Sequence, residues 1–329
     1  MNPPLVYVIM LTWNQKKDTL TCLDSLSRMT YPNYRIVVVD NGSTDDTVPA
    51  VRNQYTEVEV IVNPRNLGFT GGTNVGLRHA LSQGTDFVFS INNDTLVSSD
   101  ILDELISHAA PPDVGVVAPK IYYADESQRI WSVGARQHPL TLEMTDKGRN
   151  QIDTGQWEQV LERDYLLGCA QLLKRSVLEE VGLLDETFFL YYDDLDFCLR
   201  ARKAGYRLLL VPQAKMWHKV AASAGGVDSP RVRYYRARSS VWFLRKHMRG
   251  LHWLIVIPYR FGSAVKALLY FAAQQRWDLA QSYLQGLRDG LALSGETGES
   301  PTDVFAHLPS LGCDRIRSNA DSPLDSIGK

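Results

Sequence analysis

The chain has 329 residues, of which 44% are hydrophobic and 22% charged, so it has a globular composition and room for one large domain plus a smaller one. Its formal net charge of −2 indicates no partner by itself. The four cysteines lie far apart and form no CxxC pair, which argues against a zinc knuckle or a disulfide framework and fits a reducing compartment.

The first hundred residues alternate between strand-like and helix-like patterns. Strands are predicted near residues 5–12, 35–40, 58–62 and 87–91, and helices near 17–28, 45–54 and 72–83. This alternation is typical of βαβ units, whose parallel strands end at one edge of a sheet. The first apolar run is too short to span a membrane and no basic leader precedes it, so we expect no export signal and a cytoplasmic location.

The second predicted strand stops at a polar turn. Asp40 follows a continuous apolar run, Asn41-Gly42 permits a sharp turn, and Ser43 with Asp46 resembles a capping box that opens the next helix. The carboxyl end of such a strand is where open α/β sheets bind ligands. A lone strand-ending aspartate is more often only a turn residue, so the neighbouring strand tips have to decide its role.

Two further strand tips are polar. Thr12-Trp13-Asn14 follows the first strand, and Asn92-Asn93-Asp94 follows the fourth. Because no GxGxxG or GxxxxGK[ST] follows the first strand, the sequence argues against a dinucleotide enzyme or a P-loop ATPase. One aspartate with neighbouring amides can hold Mg²⁺ together with substrate phosphates, although the two asparagines could equally be turn residues.

The middle of the chain begins as an irregular polar lobe over residues 135–165, which we expect to cover the sheet edge. A strand is predicted over 168–173, followed by helices over 175–181 and about 194–204. Each helix is followed by a glycine, Gly182 and Gly205, which is a favoured residue after a helix end.

Three carboxylates stand near the start of the second of these helices. Asp196 is assigned to an ion pair with Arg200 four residues later. Asp193 and Asp194 are adjacent, and part of this cluster is helix capping, but in a partly dry cleft one of the two could act as a base. His218 follows a strand-like run at 207–212, where a ligand role beside Asp94 and a purely structural role are both open.

The segment from Ser229 to Trp277 contains no Asp or Glu, yet it contains ten arginines and lysines. They are Arg231, Arg233, Arg236, Arg238, Arg245, Lys246, Arg249, Arg260, Lys266 and Arg276. Arg260 and Lys266 interrupt an apolar stretch before it reaches the ~20 residues of a membrane span, so we expect a helix that lies on an anionic membrane surface. A solvated basic face is the alternative, and no motif indicates nucleic-acid binding.

Four motifs occur in an order that resembles family 2 glycosyltransferases, in particular the rhamnosyltransferase type. They are Val38 to Asp45, Arg65 to Gly76, Asn92 to Asp94, and Phe188 to Asp196. The resemblance covers roughly residues 5–245 and implies a GT-A nucleotide-diphospho-sugar transferase fold, Rossmann-like α/β with a mostly parallel central sheet and a C-terminal helical extension. It places the catalytic domain at 1–225, with a nucleotide-sugar half at about 1–95 and an acceptor half at about 96–225. The basic extension then covers 226–299, and a flexible tail covers 300–329.

The resemblance also implies roles for individual residues. The nucleotide-sugar donor would lie against Thr12, Asn14, Asp40, Asn41, Asn66, Gly68, Asn92 and Asn93, with Asp40 on the base. Asp94 corresponds to the retained carboxylate of a DxD-type metal motif for Mg²⁺ or Mn²⁺, and His218 to a histidine that can join the metal. Asp194 corresponds to the catalytic aspartate, with Asp193 beside it. Two departures are Asn92 for the first Asp of DxD and Asp193 for the more frequent Glu.

The expected reaction is an inverting sugar transfer to a hydroxyl of a glycan or lipid-linked acceptor in cell-surface polysaccharide assembly. Rhamnose from dTDP-rhamnose is the favoured donor, with UDP-sugars next. A nucleotidyltransferase is an alternative, but it would need a glycine-rich basic loop after the first strand. A non-catalytic membrane-surface scaffold is another, but it would have no need of Asp94, Asp194 and His218. The sequence leaves the sugar, the acceptor and the oligomeric state open.

Overall fold

A ten-stranded mixed sheet forms the centre of the molecule in the computed structural model, which describes residues 2–219 and 228–293. The predicted domain boundary at 225 and 226 and the predicted tail at 300–329 lie outside the described residues. The elements of the first half are β1 (Val6–Thr12), α1 (Lys16–Leu26), β2 (Tyr34–Asp40), α2 (Thr47–Gln54), β3 (Glu59–Val62), α3 (Gly68–Ser82) and β4 (Phe87–Asn92). These strands pair in parallel in the order β3-β2-β1-β4.

The second half of the chain extends this sheet. Its elements are β5 (Thr95–Val97), α4 (Ile101–Ala109), β6 (Val114–Tyr123), β7 (Ile130–Ser132), β8 (Arg136–Gln137), β9 (Met144–Thr145), β10 (Leu161–Arg163), β11 (Ala170–Lys174), α5 (Arg175–Val181), a 3₁₀ turn (Glu186–Phe188), α6 (Asp193–Lys203) and β12 (Arg207–His218). Strand β11 lies antiparallel between β4 and β6, and β12 is parallel to β6. The predicted lobe at 135–165 contains only the β8–β9 hairpin and the edge strand β10.

Alternate residues of β1 face opposite sides of the sheet, as the two-residue period of a strand requires. Val8 and Met10 pack in one core with residues of α1 and α4, whereas Tyr7 and Ile9 pack in the other with residues of α3, α5 and α6. The sheet is therefore covered by helices on both faces.

The expected capping box at α2 is wrong. The helix begins at Thr47, whose N–H donates to Asp45 Oδ1 at 3.0 Å, so Ser43 does not cap it. Instead, the Ser43 hydroxyl accepts from the Asn14 N–H at 2.8 Å. The Ser43 side chain thus joins the loops after β1 and β2. Rules for helix starts consider only nearby residues, so they do not anticipate this long-range contact.

Strand β12 is longer than the predicted strand, which stopped at 212. The chain passes through Pro212 at an irregularity in the pairing with β6, between Val211 and Lys215, where a missing N–H is tolerated. The strand then continues to its last residue, His218, which lies opposite Thr95 of β5. His218 is thus fixed on the sheet itself.

Three helices complete the described chain: α7 (Pro230–His247), α8 (His252–Ala273) and α9 (Trp277–Ala292). Helices α7 and α9 approach closely because Gly286 and Gly290 face the α7 backbone, where a Cβ would meet the carbonyl oxygens of Tyr234 and Arg238 at 2.3 and 2.6 Å. Helix α7 also packs on the segment before α6, so the basic extension shares its packing with the part of the chain that carries the sheet.

Asp196 ties α6 to α7. Its buried carboxylate accepts from Arg200 Nε at 2.8 Å, as the sequence predicts, and also from His247 Nε2 at 2.6 Å and Lys246 Nζ at 2.8 Å. Burial alone would raise the pKa of Asp196, but the His247 hydrogen bond and the charges of Arg200 and Lys246 lower it to about 2. Part of the basic extension therefore balances charge inside the protein.

Helix α8 is the most exposed helix of the extension. Only Val256, Ala267 and Phe271 are buried, while Leu254 and Phe261 are 73% and 71% exposed. Arg260 and Lys266 interrupt the apolar stretch but not the helix, which continues through both and reaches 22 residues. Within the described residues it is the single helix long and apolar enough to cross a membrane, a criterion that an interfacial helix also meets.

Candidate active site

Three polar strand tips meet at one edge of the sheet. Thr12 lies opposite Asp40 in the β1–β2 register, and the preceding residue lies opposite Asn92 of β4. The Asn93 side-chain amide donates to the hydroxyls of Thr12 and Thr19 at 3.2 and 3.0 Å. The structure thus brings together the strand-tip residues that the sequence singles out.

Asp40 is fully buried, yet it keeps one carboxylate oxygen unpartnered. Its Oδ2 accepts from the Ser43 N–H at 3.0 Å, and Oδ1 has no partner. Asn14, at φ 52°, closes the loop beside it because its Oδ1 accepts from the Thr44 N–H at 2.7 Å. A buried acceptor without a donor is costly, so this oxygen fits a ligand that brings an N–H or O–H.

Asn41 holds the neighbouring loop in place. Its amide donates to Asn66 Oδ1 and the Gly68 carbonyl, both at 2.9 Å, while its oxygen accepts from the Asn63 amide and the Leu67 N–H, both at 3.1 Å. This uses all the hydrogen-bonding capacity of the side chain. The sequence assigns Asn41 to the nucleotide-sugar site, and in the structure its side chain holds the loop at Asn66 to Gly68 in place.

Asp94 and His218 form the candidate metal position. Asp94 Oδ1 and His218 Nε2 lie 3.0 Å apart and are both buried, but neither atom is in hydrogen-bond geometry. Asn92 Oδ1 nearby in sequence is also buried without a partner. Two ligands at about 2.1 Å from Mg²⁺, on adjacent corners of an octahedron, lie about 3.0 Å apart, so the pair fits a cation.

This position offers few protein ligands. No group of three or more His, Cys, Asp or Glu side chains that could hold a metal is found in the described residues. Mg²⁺ commonly takes one or two carboxylates and completes its shell with water and substrate phosphates. The His218 ring also stacks on Trp131, with 4.6 Å between ring centres, which fixes the orientation of the imidazole.

Asp194 and Asp193 begin α6 and have different surroundings. Asp194 Oδ2 accepts from the Tyr165 hydroxyl at 2.7 Å and the Gly168 N–H at 2.8 Å, and its Oδ1 accepts from the Leu195 N–H at 2.8 Å. Asp193 is 3% exposed and its Oδ2 has no partner, whereas Asp194 is half-buried. Asp194 is thus the more exposed of the two residues, and three donors hold its carboxylate.

Burial raises the pKa of both carboxyls, and the negative charge of Asp194 raises that of Asp193 further. At Asp194 the donors on Tyr165, Gly168 and Leu195 oppose the effect of burial because they bind the charged form. When the pair carries a single proton, that proton therefore belongs on Asp193, and Asp194 is the charged member that can accept another.

The segment before this pair has strained backbone. Phe189, Tyr191 and Tyr192 have φ values of 62°, 65° and 67°, a region that costs of order 1–3 kcal/mol for each such residue. Hydrogen bonds from the surrounding elements offset this strain: the Phe69 N–H donates to the Phe189 carbonyl at 2.7 Å, and the Ser239 hydroxyl of α7 donates to the Leu190 carbonyl at 2.8 Å.

Tyr165, Trp131 and Gly168 are site residues that the sequence does not reveal. Tyr165 ends the polar lobe at 135–165, where no periodicity distinguishes it from neighbouring loop residues. Trp131 belongs to the three-residue strand β7 and reaches the site only through the pairing of β7 with β6 and of β6 with β12. These contacts depend on sheet topology, so a local pattern does not carry them.

Comparison with known proteins finds relatives that match over most of the chain. The dTDP-rhamnosyl transferase RfbF of Shigella flexneri is 24% identical over 249 residues, covering 74% of this chain and 80% of that protein. An N-acetylglucosaminyl-diphospho-decaprenol L-rhamnosyltransferase of Mycobacterium tuberculosis is 26% identical over 261 residues, covering 73% and 84%. Both alignments include most of each protein.

Solved structures give the fold. The mannosyltransferase PcManGT from Pyrobaculum calidifontis, in complex with GDP-Man and Mn²⁺, matches with a TM-score of 0.55 at 19% identity, covering 87% of this chain and 86% of that one. S. aureus TarS 1–349 matches with a TM-score of 0.51 at 17% identity, covering 88% and 91%. The predicted GT-A fold is confirmed. Residues 7–182 match the model of Glycosyl transferase family 2, and the chain belongs to that family.

Proposed function

We propose that the chain transfers a sugar from a nucleotide diphosphate to an acceptor hydroxyl, with inversion at the anomeric carbon. The observation that carries this proposal is the half-buried Asp194 carboxylate, which three donors hold at the start of α6. Family membership and the rhamnosyltransferases among the relatives support it. They also favour it over a nucleotidyltransferase or a non-catalytic scaffold.

Asp194 would act as the general base. It would accept the proton of the acceptor hydroxyl while that oxygen attacks the anomeric carbon on the face opposite the diphosphate. The new glycosidic bond forms as the bond to the diphosphate breaks, so the nucleoside diphosphate leaves and the configuration inverts. In this scheme Asp193 keeps its own proton, so Asp194 is the carboxylate that accepts the proton of the hydroxyl.

Asp94 and His218 would hold a divalent cation, Mg²⁺ or Mn²⁺. Bound there, the cation supplies positive charge to the departing diphosphate. The unpartnered oxygen and ring nitrogen 3.0 Å apart support this assignment, as does the Mn²⁺ in the complex of PcManGT. Asn92 would then contribute an amide oxygen where a carboxylate is more frequent.

The donor proposal is dTDP-rhamnose, with UDP-sugars as the second choice. The names of the rhamnosyltransferase relatives support rhamnose, and the unpartnered oxygen of Asp40 supports a nucleobase contact near Thr12 and Asn14. We assign donor binding to residues 1–95, which include Asn66 and Gly68, and acceptor binding to 96–225. The acceptor proposed is a glycan, carried on a lipid diphosphate at the inner membrane face.

Replacing the base tests the mechanism. Asp194→Asn keeps the shape of the side chain but removes its ability to accept a proton, so kcat should fall by ~10²–10⁴-fold. Binding of dTDP and UDP, measured by calorimetry, should be unchanged. Asp24→Asn, a surface aspartate paired with Arg28, is the control and should retain activity. Wild-type turnover by Asp194→Asn would rule out this residue as the base.

Removing the Tyr165 hydroxyl tests how Asp194 is tuned. A hydrogen bond to a charged group is worth about 1.5–3 kcal/mol, and its loss in Tyr165→Phe should raise the pKa of Asp194. The acid limb of the kcat profile should therefore move to higher pH by about one unit or more. Tyr206→Phe, which removes a surface hydroxyl bonded to Glu180 at 2.7 Å, is the matched control. An unshifted acid limb in Tyr165→Phe would contradict the assignment.

Chelation tests the metal site. Excess EDTA should suppress transfer, and added Mg²⁺ or Mn²⁺ should restore it. His218→Gln should need a higher metal concentration for half-maximal rate, whereas His79→Gln, which removes a histidine paired with surface Glu59, should not. Full activity in excess EDTA would instead make Asn92-Asn93-Asp94 a structural turn.

We propose that α8 lies on an anionic membrane. Its apolar side chains are exposed, and Arg260 and Lys266 give it positive charge without an acidic residue. The protein should float with anionic liposomes at low salt, and Leu254→Gln with Phe261→Gln should reduce the floated fraction. Leu140→Gln, a 54% exposed leucine of the lobe, is the control. Protein that stays at the bottom of the gradient would contradict this.

A further inference from the structure

Helix α7 touches the active-site edge at two separate points. The Arg231 guanidinium lies 5.1 Å from the centre of the Trp13 ring, which stands between Thr12 and Asn14. The Arg236 guanidinium lies 5.2 Å from the centre of the Tyr191 ring, two residues before Asp193. Five helical residues span about 7.5 Å, so one short stretch of α7 reaches from the nucleoside edge to the acidic pair.

The positive charge of this stretch converges on Tyr191. Burial raises the pKa of the Tyr191 hydroxyl, and the charges of Arg236, Arg231 and Arg233 oppose that rise. Arg233 is neutralised by Asp228, to which its Nε donates at 2.6 Å. Within the described residues, Arg233 is thus a member of this group whose charge is balanced by a carboxylate.

Arg236 differs from its neighbours on α7 in its partners. Arg238 is buried and donates to the Phe188 carbonyl at 3.1 Å, so it serves the backbone of the strained segment. Arg236 is half-buried and has no ion pair with a carboxylate in the parts of the chain that the structure describes. A partly desolvated guanidinium is stabilised by an anion, and its planar fork suits phosphate oxygens in particular.

A diphosphate would lie between the two contact points in the proposed reaction. Its nucleoside would be near Thr12 and Asp40, and its bond to the sugar would break near Asp194. We infer that Arg236, together with Arg231, forms a diphosphate-binding subsite on α7. The role of this subsite in catalysis rests on the proposed function. The subsite would add positive charge from arginine side chains at a position separate from Asp94 and His218.

The diphosphate bound by this subsite could come from two sources, the nucleotide donor or a lipid-linked acceptor. Calorimetry with inorganic pyrophosphate, dTDP, UDP and farnesyl diphosphate separates them. Arg236→Gln and Arg231→Gln should each weaken pyrophosphate binding by about tenfold or more, since charge-assisted hydrogen bonds are lost. A loss for dTDP and UDP, with thymidine and uridine unaffected, assigns the subsite to the donor. A loss for farnesyl diphosphate alone assigns it to the acceptor.

Two control variants separate a direct phosphate contact from a general loss of positive charge or of folding. Arg249→Gln removes the same charge from an exposed residue beyond the end of α7 and should leave all affinities unchanged. Arg236→Lys keeps the charge but loses the planar fork, and should recover part of the affinity if the protein is folded. Unchanged affinity for all four phosphates in both Gln variants, or an equal loss in Arg249→Gln, would overturn the inference.

The outcome is also separable from that of the proposed function. Binding of pyrophosphate needs no sugar transfer, so an Arg236-dependent affinity in a protein without transferase activity would support the subsite and refute the reaction. Conversely, normal transfer with normal diphosphate affinity in Arg236→Gln would support the reaction and refute the subsite.

Discussion

The close approach of Gly68 to Phe189 is the contact on which the site depends. A Cβ at Gly68 would lie 2.5 Å from the Phe189 ring and 2.7 Å from its carbonyl oxygen, and Gly68 itself has a φ of 76°. Only glycine allows the start of α3 to meet the strained segment at this distance. Through that contact the loop at Asn66 to Gly68, which Asn41 holds, packs directly on the segment that leads into Asp193 and Asp194.

The charges of Asp193 and Asp194 depend on differences in burial and hydrogen bonding between two adjacent carboxyl groups. Two adjacent carboxyls would repel each other if both were charged, and the structure gives three donors to Asp194 and leaves Asp193 Oδ2 with none. The environment therefore separates the protonation states of the two carboxyls. The third carboxylate, Asp196, is compensated by α7 and α6 and holds two helices together.

The sequence predicts the sheet edge well because its signals are local. Apolar runs that end in Thr12, Asp40 and Asn92 define strands whose parallel pairing places their tips side by side. Tyr165 and Trp131 cannot be found this way, since they reach the site through pairings distant in sequence. Charge patterning is likewise ambiguous: it does not separate Lys246, which pairs with Asp185 and Asp196, from an exposed lysine such as Lys266.

The His247–Asp196 contact has a geometric consequence. It anchors the end of α7 to the helix that carries Asp194, and α8 begins only five residues later, at His252. If a membrane lies under α8 as proposed, the short connection from α7 sets its distance from Asp194, the proposed base. That distance would select acceptors by length. Glycans whose free hydroxyl lies at the matching distance from the lipid surface would reach Asp194, and shorter or longer glycans would not.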